Sequence, residues 1–272
     1  MTRFGALIAA FVLHCGAAQA QDTGAFLDHL GQQGCIIGPA TEETARAAGF
    51  DSAFVAAQVA NLRDLGQPLR AGHTLVDGAV CTIALPDVPD APSLDDPDVL
   101  RSFVPYDDGS GAYDPGCVLD RAAFEDWMPL AKGWTADETA LAYMKLVAAG
   151  LVSGELRFYS PDILATPPGV ERVTGRCAGV TRLSEARRTR DEIGAWFDPF
   201  VRAIGPQTPC RNGATWLDSD GFAVLAGLTN DSHQNAWLAF EMWLIALGGG
   251  WYDFAGAEDR GTPRPPACGA PG

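Results

Sequence analysis

The chain of 272 residues sets 34 acidic side chains against 19 basic ones, for a formal net charge of −15. So acidic a chain repels nucleic acid phosphates, which excludes nucleic acid as an expected partner. Its 47% hydrophobic content can fill a sizeable core, yet the mature chain offers no run of roughly 20 apolar residues able to span a bilayer.

Met1 to Ala20 reads as a secretory signal peptide. Arg3 supplies the positive end, Phe4 to Leu13 a short apolar run, and Ala18-Gln19-Ala20 a small-x-small cleavage site. Cys15 lies inside this leader behind His14, too bulky and polar a neighbour for a lipid-anchored cysteine. The expected localisation is therefore periplasmic or secreted. Cleavage leaves Cys35, Cys81, Cys117, Cys177, Cys210 and Cys268, and an even cysteine count in an exported chain points to disulfides. No two of them stand in CxxC spacing, so no metal is expected. Lys132 and Lys145 are the only lysines.

In chain order, Phe26, Leu27 and Leu30 make a short apolar face that Gly34 ends beside Cys35. Pro39 to Ala48 reads as a short helix with Glu42 and Glu43 in its first turn, where the helix dipole favours acids. After Gly49-Phe50, Asp51 or Ser52 can cap a helix carrying Val55, Val59 and Leu62 at i, i+4, i+7. Leu69 to Leu85 looks extended, with a hairpin turn expected at Asp77-Gly78. Residues 86–116 read as an acidic linker rich in Pro, Asp and Gly.

A second unit opens at Cys117. Ala123, Phe124, Trp127 and Met128 share a helical face, and Gly133-Trp134 takes the place of Gly49-Phe50. Thr135-Ala-Asp-Glu138 is a capping box for a helix whose Ala140, Met144, Val147 and Leu151 again repeat at helical spacing. Gly49 to Gly66 and Gly133 to Gly150 are equally spaced, the kind of internal period that signals a repeat. Leu156–Tyr159 should pair with Val170–Val173 as a hairpin. Ser184 is expected to cap a helix bearing Ile193, Phe197, Phe200 and Ile204, which Pro199 should kink or interrupt. A third unit, from Cys210 to Cys268, contains a helix at roughly Asn235 to Leu247 that is apolar nearly all round and so belongs in a core. If each cysteine pair brackets one unit, the disulfides are Cys35–Cys81, Cys117–Cys177 and Cys210–Cys268.

Helix, break, second helix and hairpin is the element order of a winged-helix module, which each unit resembles, the first most clearly. The resulting expectation is a mainly α fold with short β-hairpins (α+β), built as three tandem disulfide-closed units. Their bounds are 21–85, 117–180 and 181–272, and the alternative is one interlocked helical domain.

Chemistry is sparse in this sequence. His29, His73 and His233 are scattered one per segment, without the spacing of a metal site, and no GxSxG elbow occurs. Glu241 stands amid Trp237, Phe240, Trp243 and Leu244, where burial would raise a carboxyl pKa. With His233 it is the candidate for catalysis. Arg182, Arg187, Arg188 and Arg190 form a basic run suited to an anion or a partner surface. The expectation is an exported non-catalytic binding or scaffolding protein of the bacterial envelope, without cofactor, whose partner is another envelope protein or a small ligand. The alternative is a periplasmic hydrolase with its carboxylate and histidine in the third unit.

Overall fold

The computed structural model describes residues 23–69, 72–105, 116–159, 169–179, 193–202 and 238–249. Among these residues it is a mixed α and β structure with two small antiparallel sheets and two disulfides. The leader, the arginine run at 182–190, His233, Cys210 and Cys268 lie outside these residues.

The chain begins with α1 (Thr23–Gln32), which buries Phe26 and Leu30. It ends tightly against the chain ahead, since a Cβ on Gly31 would lie 2.6 Å from the Thr82 carbonyl oxygen. Cys35 then takes a left-handed φ of 56°, uncommon for a side-chain-bearing residue, with its amide donating to Leu30 O at 2.8 Å. β1 (Ile36–Ile37), α2 (Thr41–Ala47), α3 (Ser52–Arg63), β2 (Gly66–Pro68) and β3 (Thr74–Val76) follow. Asp51 caps α3 as expected, accepting from the amides of Ala53 and Phe54, and Val55, Val59 and Leu62 are its buried face. The strands pair in the order β1-β3-β2, and Cys35 is bonded to Cys81.

The second frame has the same order of elements. β5 (Val118–Leu119), α5 (Arg121–Lys132), α6 (Ala136–Ser153), β6 (Leu156–Tyr159) and β7 (Gly169–Arg172) lie between Cys117 and Cys177, which are bonded. Its strands pair as β5-β7-β6, with β4 (Phe103–Val104) added beyond β5. The capping box at Thr135 and Glu138 is complete, and Met144, Val147 and Leu151 are buried. The expected hairpin forms, with Arg157 opposite Glu171 and Phe158 opposite Val170.

Three local expectations give way to the structure. β2 and β3 pair with Leu69 N donating to His73 O at 2.8 Å, whereas Asp77 opens a separate turn by accepting from Val80 N. Gly66 opens β2, but Gly150 lies buried inside α6, which runs on to a left-handed Gly154. The equal glycine spacing therefore does not mark equivalent helix ends. Residues 86–105 are more than a linker: α4 (Pro97–Leu100) and β4 pack on the second frame, and Leu94, Val99 and Ser102 are buried.

The described part of the expected third unit consists of two helices that pack on the other two frames. α7, at 193–202, buries Ile193, Phe197, Phe200 and Val201, and its helical backbone continues through Pro199. Asp198 accepts from Ile83 N at 2.6 Å and holds Arg202, whose guanidinium donates to the carbonyls of Val76 and Cys81. α8 (Leu238–Gly248) packs along α6, where a Cβ on Gly248 would lie 2.3 Å from Ala148 Cβ. One continuous hydrophobic cluster consequently joins Phe26 of α1 to Ala246 of α8.

Candidate functional site

The unusual chemistry lies where α8 reaches β6. α8 is apolar along its length except at Glu241, which is 1% exposed. Among the described residues β6 is the last strand of its sheet. Because Val173 N donates to Glu155 O, the alternation of an antiparallel ladder turns Leu156 and Phe158 outward, away from β7. Their peptide groups would need a further strand or another partner, since a buried unpaired peptide group is costly. Phe158 N donates to Glu241 Oε1 at 2.8 Å, and the Arg157 guanidinium donates to Leu156 O. A carboxylate from α8 and a guanidinium from the strand itself thus close the sheet edge.

Arg157 also donates to Leu151 O at the end of α6, at 2.8 Å. Glu171, directly opposite on the interior strand β7, is buried as deeply, so Arg157, Glu171 and Glu241 are each 1% exposed. Phe158, Phe240 and Trp243 form an aromatic row beside them, with Phe158 and Phe240 edge-to-face at 5.0 Å. Charged groups this deep are stabilising only when hydrogen-bonded. Arg157 and Glu171 were not legible as site residues. Alternation along Leu156-Arg157-Phe158 puts the arginine on the opposite face from two apolar neighbours, which normally means solvent.

The other candidates lie apart. His29 sits on α1 against Phe50, with ring centroids 5.6 Å apart, and burial holds its imidazole below the usual histidine value. His73 lies over Gly38, where a Cβ would meet its ring at 2.3 Å. His29 packs on the first frame from α1 and His73 belongs to it, whereas Glu241 belongs to α8. Tyr143 of α6 is pushed up to about 12, first by burial and against the opposing pull of the Arg121 guanidinium. Among the described residues no group of three His, Cys, Asp or Glu side chains is placed to hold a metal ion. No helix among them is long and apolar enough to cross a membrane. Disulfides in such a chain are compatible with export. No known protein family matches the chain, and neither do any curated protein or solved structure.

Proposed function

We propose that the protein is an exported, non-catalytic binding or scaffolding protein of the bacterial envelope, acting on another envelope protein or a small ligand. The observation that carries this reading is the engagement of Glu241. The one carboxylate that its sequence neighbourhood marks as catalytic is spent on the Phe158 amide at a sheet edge. The two buried disulfides fit an oxidising compartment such as the periplasm.

The same reading treats the two disulfide-closed frames as copies of one winged-helix-like unit, with a third copy framed by Cys210 and Cys268. Its support is the shared element order, the shared strand order and the cysteine placement. The packing of α7 and α8 on the first two frames favours the interlocked arrangement of these units over independent domains.

The deciding experiment pairs binding with turnover. A saturable, stoichiometric complex with one envelope component, unaffected by Glu241→Gln and His233→Ala, supports the binder. Hydrolysis of ester, amide or glycoside substrates by the purified periplasmic protein, abolished by either substitution, would overturn it and establish the hydrolase.

A further inference from the structure

Residues 85–95 form no backbone–backbone hydrogen bond with any other described segment. Ala84 N still donates to Gly31 O, and the next such bonds, Asp96 N to Ser93 O and Leu100 N to Asp96 O, are local. The polar bonds that hold the stretch to the body come from cations. Lys145 donates to Pro89 O at 2.9 Å, and Arg172 donates to Leu94 O and to Asp95 Oδ1 at 2.9 Å. At the far end Lys132 lies 3.1 Å from Asp96 and 2.8 Å from Asp98. Both lysines of the chain are thus used here.

Beneath the stretch lies the crossing of α6 and α8. Val88 covers it, its Cγ1 3.3 Å from where a Cβ on Gly248 would stand, and Pro86 packs on Gly249. Only Pro86 and Leu94 are buried between residues 86 and 96, while Asp87, Pro89, Asp90 and Ser93 are exposed. A segment with few buried contacts and no ladder bonds belongs to the low-stability end of a fold. Ion pairs near the surface weaken as salt rises.

We propose that residues 86–96 are a strap over the α6–α8 crossing, held shut by Lys132, Lys145 and Arg172. It lifts between its Pro86 and Leu94 anchors when those charges are screened or removed. Lifting takes Val88 off Gly248 at the end of α8, while Pro86 stays on Gly249, and leaves both disulfide frames folded. This device stands independently of the binding reading.

Methyl NMR on the full mature chain tests it, following the contact between the Val88 methyls and the Gly248 α-protons. Three arms are compared: a salt series from about 0.05 to about 1 M NaCl, acetylation of the amines with sulfo-NHS acetate, and the variant K132Q/K145Q/R172Q. The expected result is at least about a twofold loss of that contact in each arm, with the Val147 and Leu151 methyls unchanged. A Val88–Gly248 contact that persists in high salt and after acetylation overturns the proposal. So does loss of the contact only together with the core methyls, because the strap would then not move alone. Should the triple variant fail to fold, the salt and acetylation arms still decide.

Discussion

The amide of Arg172 donates to the carbonyl of Cys117 at 2.8 Å, the last residue of β7 reaching the cysteine that precedes β5. In the first frame Val76, last in β3, donates to the carbonyl of Cys35 at 2.9 Å. The residue after each of these strands repeats the correspondence: Asp77 N donates to Leu65 O, and Val173 N to Glu155 O. Each disulfide therefore closes a frame whose first and third strands are already hydrogen-bonded side by side. In the chain-entropy account its main work is to restrict the unfolded chain.

Replacing Cys117 and Cys177 together by serine should consequently cost about 2–5 kcal/mol, the range for removing a native disulfide that closes a long loop. Urea unfolding of the variant checks this. A loss below about 1 kcal/mol would mean that the strand register and the core carry the frame unaided.

Glu241 should behave as a sheet-edge partner. Glu241→Leu removes the acceptor and leaves the Phe158 N–H buried without it, at a cost of about 1–3 kcal/mol. Glu241→Gln keeps an oxygen in the same place and should lose clearly less. Chemical denaturation of both variants separates them. Equal losses would argue that the carboxylate charge, and not its hydrogen bond, is what the edge needs.

Arg202 joins α7 to the first frame by gripping two carbonyls and Asp198 at once. Arg202→Met keeps the aliphatic stem but strands the buried carbonyl of Cys81 and frees Asp198. A loss of about 2–4 kcal/mol is expected, in line with charge-assisted bonds in partly buried places. Amide exchange at Ile83 should rise, because its acceptor, Asp198, loses the arginine that fixes it. Unchanged protection at Ile83 would show that the apolar face of α7 docks the helix unaided.

Ser102 offers a test in the opposite direction. It is fully buried, and its hydroxyl has no hydrogen-bond partner among the described residues. Its backbone carbonyl, which accepts from Asp120 N, is unaffected by a side-chain change. Ser102→Ala should therefore be neutral or stabilise the protein by up to about 1 kcal/mol. A thermal midpoint lowered by several degrees would reveal that the hydroxyl has a partner.

The helices were largely legible in the sequence because their signals are local. Asp51 caps α3 and Thr135 with Glu138 caps α6 through bonds spanning two or three residues, and Val55, Val59 and Leu62 mark a face by spacing alone. The Cys35–Cys81 and Cys117–Cys177 pairings followed from the recurring plan around them. What was not legible is long-range. Nothing near Asp198 says that it will accept from Ile83, 115 residues away. Nothing in Leu-Arg-Phe-Tyr says that its arginine is buried, because the burial depends on how β6 folds back on α6 and on α8, which reaches Phe158 from 83 residues away. The 86–105 stretch looked like a linker because prolines and acids carry no periodicity. Its order comes from the second frame, where Lys132, Lys145 and Arg172 hold its polar groups, β5 pairs with β4, and Leu94 and Val99 are buried. At the candidate site the apolar surroundings of Glu241 were readable, but the amide it serves was not.

His29 should make the first frame sensitive to mild acid. Burial beside Phe50 keeps its imidazole below the ordinary value of 6.5 in the folded protein. Well above 6.5 the side chain is neutral in both folded and unfolded chains and contributes no pH dependence. As the pH falls below 6.5 the unfolded chain takes up a proton that the folded chain refuses, so stability declines. The decline stops only once the pH has passed the lower folded value. Carboxylates add their own acid dependence in the same region, so the informative quantity is the difference between wild type and His29→Phe. That difference should be flat above about pH 7 and should shift in favour of the variant between about pH 6.5 and about pH 5. Urea midpoints measured at closely spaced pH values would show it. Parallel curves for the two proteins would mean that the imidazole charges as freely in the folded chain as in the unfolded one, and that its place against Phe50 is open to water.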